Sequence, residues 1–217
     1  TSPLHGRSIV VNFDKKTSRF TVTKGNGLTY YPHGFISTGE LENHAWGFLS
    51  LNDGIRDYKS CEYINKLGIK TNIMEAVYSL SSEKLIFDNK IEFIKPNILQ
   101  YNVECPYRIA DIPFLRKKTI NNYVTKWSKT FNSNHKKLHC IATEILLKNI
   151  RTMHDNNILH NAIHSQNYTL SLELLDFELS RTPISPYESV TDESVYLKLQ
   201  KRELIQSLEI INQLCYF

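Results

Sequence analysis

Residues 153–178 of this 217-residue chain hold the side chains whose types and spacing could do chemistry. The run reads Met153-His154-Asp155-Asn156-Asn157-Ile158-Leu159-His160-Asn161-Ala162-Ile163-His164-Ser165-Gln166-Asn167 and resumes as Leu174-Leu175-Asp176-Phe177-Glu178. A helix should end near Asn156-Asn157, and an apolar pair should lead into a polar loop that closes at Asn167. Asp176 should then leave the end of a strand. Between them Leu170, Leu172 and Leu174 alternate, which predicts an inward apolar row holding both polar residues rigidly. An amide oxygen and a carboxylate delivered by two turns of one hairpin can ligate a hard divalent cation. Mg²⁺ bridging nucleotide phosphates needs little more from a protein. Asn167 and Asp176 are therefore the candidate metal ligands.

Other constellations are weaker. His135-x-x-x-His139 beside Cys140, and His160-x-x-x-His164, have the spacing of paired zinc ligands on one helix face, but no third ligand matches them. His135 and His139 are expected as solvated helix residues and His160 as a packed structural histidine. The sequence carries no Ser-His-Asp arrangement and no Walker-type Gly-Lys-Ser/Thr loop.

The elements that must position these residues change character along the chain. Residues 8–13 and Arg19–Lys24 read as a hairpin whose second strand alternates at period two and stops at Gly25-Asn26-Gly27. A polar stretch from Leu28 to Asn52 should be loop. Asp53 is the expected N-cap of a helix from about Ile55 to Leu67, closed by Gly68. Met74–Leu80, Lys84–Phe87 and Ile98–Cys105 are strand candidates. From Lys117 onward the pattern is helical, with Leu138, Ile141, Ile145 and Met153 predicted on one inward face. Val195, Leu199, Ile205, Leu208 and Ile211 are predicted on another. Strands with one helix followed by helices make an α+β chain in two lobes.

Composition narrows the function classes. With 26 basic and 22 acidic residues the net charge is +4, spread along the chain, unlike the concentrated stripe that a phosphate backbone selects. Nucleic acid is not an expected partner. No apolar run approaches the roughly 18–20 residues of a membrane helix, and Thr1-Ser2-Pro3-Leu4-His5-Gly6-Arg7 is no secretory signal. Cys61, Cys105, Cys140 and Cys215 lie far apart and read as reduced thiols of a cytoplasmic compartment, with delivery into a host cell left open. The missing initiator methionine reads as a trimmed or processed chain.

The segment His160–Asn167 resembles the His-Arg-Asp-x-x-x-x-Asn catalytic loop of protein kinases, and Asp176-Phe177-Glu178 resembles their Asp-Phe-Gly. Ala162 stands at the position of the kinase base and Glu178 at that of the glycine. A narrower resemblance absorbs the first departure: the selenoprotein O (SelO) group, kinase-like proteins that lack the usual catalytic Asp and transfer AMP. Gly6-Arg7 and Lys24-Gly25-Asn26-Gly27-Leu28-Thr29 are similar to that group's first strand and turn. The segments Ile55–Thr71 and Val103–Arg108 are similar to its helix and its Arg-bearing segment. The nine-residue step from Asn167 to Asp176 matches its short hairpin.

The resemblance implies a bilobal kinase-like fold. Residues 1–108 would form an N-lobe with an antiparallel sheet and one helix, and 109–217 a mostly helical C-lobe. It implies an ATP- and Mg²⁺-dependent enzyme moving AMP to hydroxyls of a protein substrate. Lys24 would bind phosphate, Asn167 and Asp176 would hold the metal, and Arg7 and Arg108 would neutralise charge, with surface salt bridges as their alternative. An acidic residue must orient Lys24. Asp57 shares a helix face with Cys61 and Ile64 and ranks ahead of Glu62. Two other outcomes stay open: an atypical kinase using His164 or Glu178 as base, and an inactive pseudokinase. The second is favoured by Gln166 where the SelO group has Asp.

Overall fold

A computed structural model describes residues 8–27, 47–87, 90–134, 137–185 and 193–215. Its architecture is α+β. Strands β1 (Ser8–Asp14), β2 (Arg19–Lys24), β6 (Asn97–Val103) and β3 (Ile73–Ser79) lie in that order in an antiparallel sheet of four strands. Strands β4 (Glu83–Phe87) and β5 (Lys90–Ile94) form a separate antiparallel pair. The alternating Lys90-Ile91-Glu92-Phe93-Ile94 is a strand that the sequence reading did not anticipate, since so short a charged run carries a weak period-two signal. Of the loop expected over 28–52, residues 28–46 lie outside the described residues, as does His135.

Strand β6 is central because its pattern buries alternate residues: Asn97, Leu99, Tyr101 and Val103 point into the core. Each large apolar side chain so buried contributes about 1.5–3 kcal/mol. The same pleat puts Val22 and Lys24 of β2 on the buried face. Helix α1 (Leu51–Lys66) packs on β3 and β6. It begins earlier than expected, because Ser50 rather than Asp53 caps it: the Ser50 hydroxyl oxygen accepts from the Asp53 N–H at 3.1 Å. Asp53 instead sits in the first turn, where a carboxylate complements the helix dipole. The helix ends at Gly68, whose φ of 82° closes it and whose N–H donates to the Asn65 carbonyl at 2.9 Å. Gly54, Asp57, Cys61 and Ile64 share the buried face.

The rest is helical. A short 3-10 segment (Ile109–Phe114) leads to α2 (Lys117–Thr130), α3 (Leu138–Asp155) and α4 (Glu193–Cys215), with α3 packed on α4. The inward face of α3 is Leu138, Ala142, Leu146, Ile150 and Met153, displaced from the expected one; Ile141 and Ile145 are only half-buried. On α4 the expectation fails more widely, since Val195, Ile205 and Leu208 are exposed and Glu203, Ser207 and Ile210 are buried. Polar docking explains this: the Glu203 carboxylate accepts from the Asn161 N–H at 2.5 Å and lies 2.9 Å from His154 Nε2. Among the described residues no helix is long and apolar enough to cross a membrane.

Gly25 fixes the exit of β2. Its φ is 95°, and a Cβ there would collide with the Asn97 carbonyl oxygen and lie 2.8 Å from Leu49 Cβ. Gly25→Ala should therefore lower stability by about 2–4 kcal/mol through backbone strain and the clash. The fall appears in the urea midpoint at constant slope; an unchanged midpoint would show that Gly25 is not needed for the turn.

Candidate functional site

Lys24 closes β2 on the core face, and three carboxylates converge on its ammonium. Asp57 Oδ2, from the inward face of α1, lies 2.8 Å from Nζ; Asp176 Oδ1 lies 2.7 Å away and Glu178 Oε1 2.7 Å. Lys24, Asp57 and Glu178 are buried, and Asp176 is the partly exposed member. The other oxygen of Asp57 accepts from the Phe177 N–H at 3.0 Å, so α1 grips the segment that supplies the other two carboxylates. Asp176 itself adopts φ 67°, a left-handed conformation that Asp tolerates better than most residues. Burial raises the Asp57 pKa; Lys24 pulls it back, while Asp176 and Glu178 push it further up.

The hairpin that carries Asp176 is tight. Tyr168 and Leu174 bridge antiparallel, the Leu175 N–H donates to the Asn167 carbonyl at 2.9 Å, and Leu170, Leu172 and Leu174 are buried as expected. Asn167 and Asp176 thus stand at the two feet of one hairpin. The Asn167 side chain is buried, and its Nδ2 donates to the Ala162 carbonyl at 2.9 Å. His160 is fully buried, its Nε2 2.9 Å from the Leu175 carbonyl and its ring 5.0 Å from that of Phe177, and burial depresses its pKa. This is the packed structural histidine expected from sequence. His139 is exposed, also as expected.

The remaining sequence candidates divide. Glu62 is exposed, and Asp57 is the helix residue at Lys24. Arg108 is not a surface ion-pair residue: it is buried, and its guanidinium donates to the Gln166 carbonyl at 2.6 Å. That bond braces the turn just before Asn167. Arg7 lies outside the described residues. Neither a known protein family nor a curated protein matches this chain.

Three acidic residues gain a place that sequence reasoning did not give them. Glu178 was considered only as an alternative base, and here it is a buried partner of Lys24; its spacing of two from Asp176 was the available signal. Glu173 is fully buried in the hairpin and accepts from the Glu104 N–H at 3.0 Å and from Arg19 at 3.2 Å. A lone acid inside Leu170-Ser171-Leu172-Glu173-Leu174-Leu175 was its signal, since a charge in an apolar run needs a partner. Glu203 had no such signal, because it resembles any acid on an amphipathic helix.

The donor atoms of Asp57, Asp176 and Glu178 all lie within 4.8 Å of one another, so this acidic triad, with two buried members and one partly exposed, could hold a metal ion. Carboxylate oxygens suit a hard cation such as Mg²⁺ or Ca²⁺. Burial makes the thiols of Cys61 and Cys105 poor ligands by comparison, pushing the Cys105 pKa up to about 12 and that of Cys61 higher still.

Proposed function

We propose that this chain is an ATP- and Mg²⁺-dependent transferase with a bilobal kinase-like fold, similar to the SelO group, that moves AMP from ATP to hydroxyls of a protein. One observation carries the reading: Lys24, Asp57 and Asp176, which are 33 and 152 residues apart in the pairs they form, meet at one ammonium. The resemblance named these residues as phosphate-binding lysine, orienting acid and metal ligand. The antiparallel sheet with α1 before residue 108 and the helices after it support the same reading.

In this mechanism Asp57 orients Lys24 through their ion pair, and the Phe177 N–H holds the other oxygen of Asp57 in place. Lys24 would neutralise the nucleotide phosphates, and Asn167 with Asp176 would hold the metal from the two feet of the hairpin. A bound Mg²⁺ supplies charge neutralisation on the phosphate oxygens. Hydroxyl oxygen attacks the α-phosphorus, the bond from that phosphorus to the oxygen bridging to the β-phosphate breaks, pyrophosphate leaves, and the proton passes to water. Ala162 offers no base, which forgoes about 10²–10⁴-fold of general-base help but leaves positioning and electrostatics, the main contributions in this chemistry.

ATP labelled separately on the α- and γ-phosphorus tests the proposal. Label from the α position on protein is expected, and Asp176→Ala should abolish it. Label from γ would make the chain a kinase. Neither label with folded protein would favour a binding module. Persistence of label in Asp176→Ala would remove the metal assignment.

A further inference from the structure

The Lys24 ammonium donates hydrogen bonds to Asp57 Oδ2 at 2.8 Å and to Asp176 Oδ1 at 2.7 Å, and a third carboxylate, Glu178 Oε1, is ion-paired to it at 2.7 Å. We propose that Glu178 sets the anion affinity of this pocket, its carboxylate occupying the place on Lys24 that a phosphate oxygen must take. The inference rests on Lys24 as the phosphate-binding group and extends that reading to a residue that opposes binding.

The three carboxylates are not equivalent. Asp57 is fixed from both sides, one oxygen on Lys24 and the other on the Phe177 N–H. Asp176 is the most exposed, with 28% of its side chain accessible, and can turn toward a cation without leaving solvent. Glu178 is neither free to leave nor needed to orient Lys24. Its side chain is 4% accessible, and its backbone carbonyl accepts from Arg56 at 3.1 Å. The preceding Phe177 is fully buried, and its carbonyl accepts from Ser180 Oγ at 2.6 Å, which holds the backbone on the other side.

Charge points the same way. Three carboxylates around one ammonium leave the cluster with a formal charge of −2 when all are ionised. Asp57 and Asp176 have roles that need their charge, one to orient the lysine and one to meet a cation. Glu178 adds a negative charge where a polyphosphate would put its own, in a buried setting where like charges repel strongly. An incoming phosphate must therefore displace Glu178 from Lys24 before it can bond there. Removing that charge should make phosphate binding easier, unlike the loss expected from removing an ordinary site residue.

The experiment compares wild type with Glu178→Gln, using calorimetric titration of the full chain with ATP in Mg²⁺, with inorganic triphosphate in Mg²⁺, and with Mg²⁺ alone. Both polyphosphates are expected to bind Glu178→Gln at least about ten-fold more tightly. Equal or weaker polyphosphate binding by the variant would overturn the inference and leave the Lys24 reading standing if wild type binds. Weaker Mg²⁺ binding would make Glu178 a metal ligand and overturn it too. If neither protein binds either polyphosphate, the inference and the Lys24 reading fall together. A variant that does not fold, judged by thermal melting, is replaced by Glu178→Gly, which is read by the same outcomes.

Discussion

Lys24→Met is expected to lower stability by about 3–5 kcal/mol, the usual consequence of removing one partner from a buried ion pair. The change leaves Asp57 and Glu178 buried beside Asp176 with no cation at the centre of the cluster. The loss should depend on pH in a defined direction. Asp57 already has its pKa raised above 3.8, and Lys24 is the group that pulls it down. A carboxyl with a raised folded-state pKa stabilises the fold fully below its unfolded value and loses that contribution as pH climbs through the folded one. Without Lys24 the folded value rises further, so the deficit against wild type is full at neutral pH and shrinks as pH falls toward the unfolded value. Urea titrations of both proteins from pH 8 to pH 5 measure it. A deficit that stays constant, or that grows in acid, would show that the carboxylates do not depend on the lysine. The same variant should fail to bind ATP at pH 7, where it remains folded if the starting stability exceeds the loss.

The contrast between Asp57 and α4 shows which parts of this molecule were readable in one dimension. Asp57 stands one helical repeat before Cys61 and Ile64, so local geometry put it on an inward face, whereas only the resemblance singled out Lys24 at the end of its strand. The alternating leucines between Asn167 and Asp176 gave the hairpin in the same way. Those signals work because an apolar neighbour marks the buried side. They fail where burial is polar. On α4 the core face is Glu203, Ser207 and Ile210, and the Glu203 carboxylate is satisfied by Asn161 and His154 from distant segments. A pattern of leucines on that helix therefore points to solvent. Glu178 shows the same limit at the site: its partner Lys24 is 154 positions earlier in the sequence, and no periodicity links them. Start points of helices were missed for a smaller reason, since Ser50 and Asp53 are both good caps and only the Ser50 backbone is extended.

Glu173→Ala should lower stability by about 3 kcal/mol. The Glu173 carboxylate is fully buried. It accepts from the Glu104 N–H through both oxygens at 3.0 Å, from the Thr169 hydroxyl at 3.2 Å and from Arg19 at 3.2 Å. It thereby ties the tip of the hairpin to the end of β6 and the start of β2, the strand that ends in Lys24. Truncation leaves a main-chain donor and a hydroxyl without their acceptor, and frees the hairpin whose feet carry Asn167 and Asp176. Faster amide exchange at Leu170 and Leu175 with little change in the middle of α3 would report that local release. The pH trend should be opposite to that of Lys24→Met. Burial raises the Glu173 pKa, so wild type gains stability from this group as pH falls through the folded value, and an alanine cannot. The deficit of Glu173→Ala therefore widens in acid, whereas that of Lys24→Met narrows. Parallel trends in the two variants would mean that one buried carboxylate, not two independent clusters, governs how the hairpin is held against the sheet.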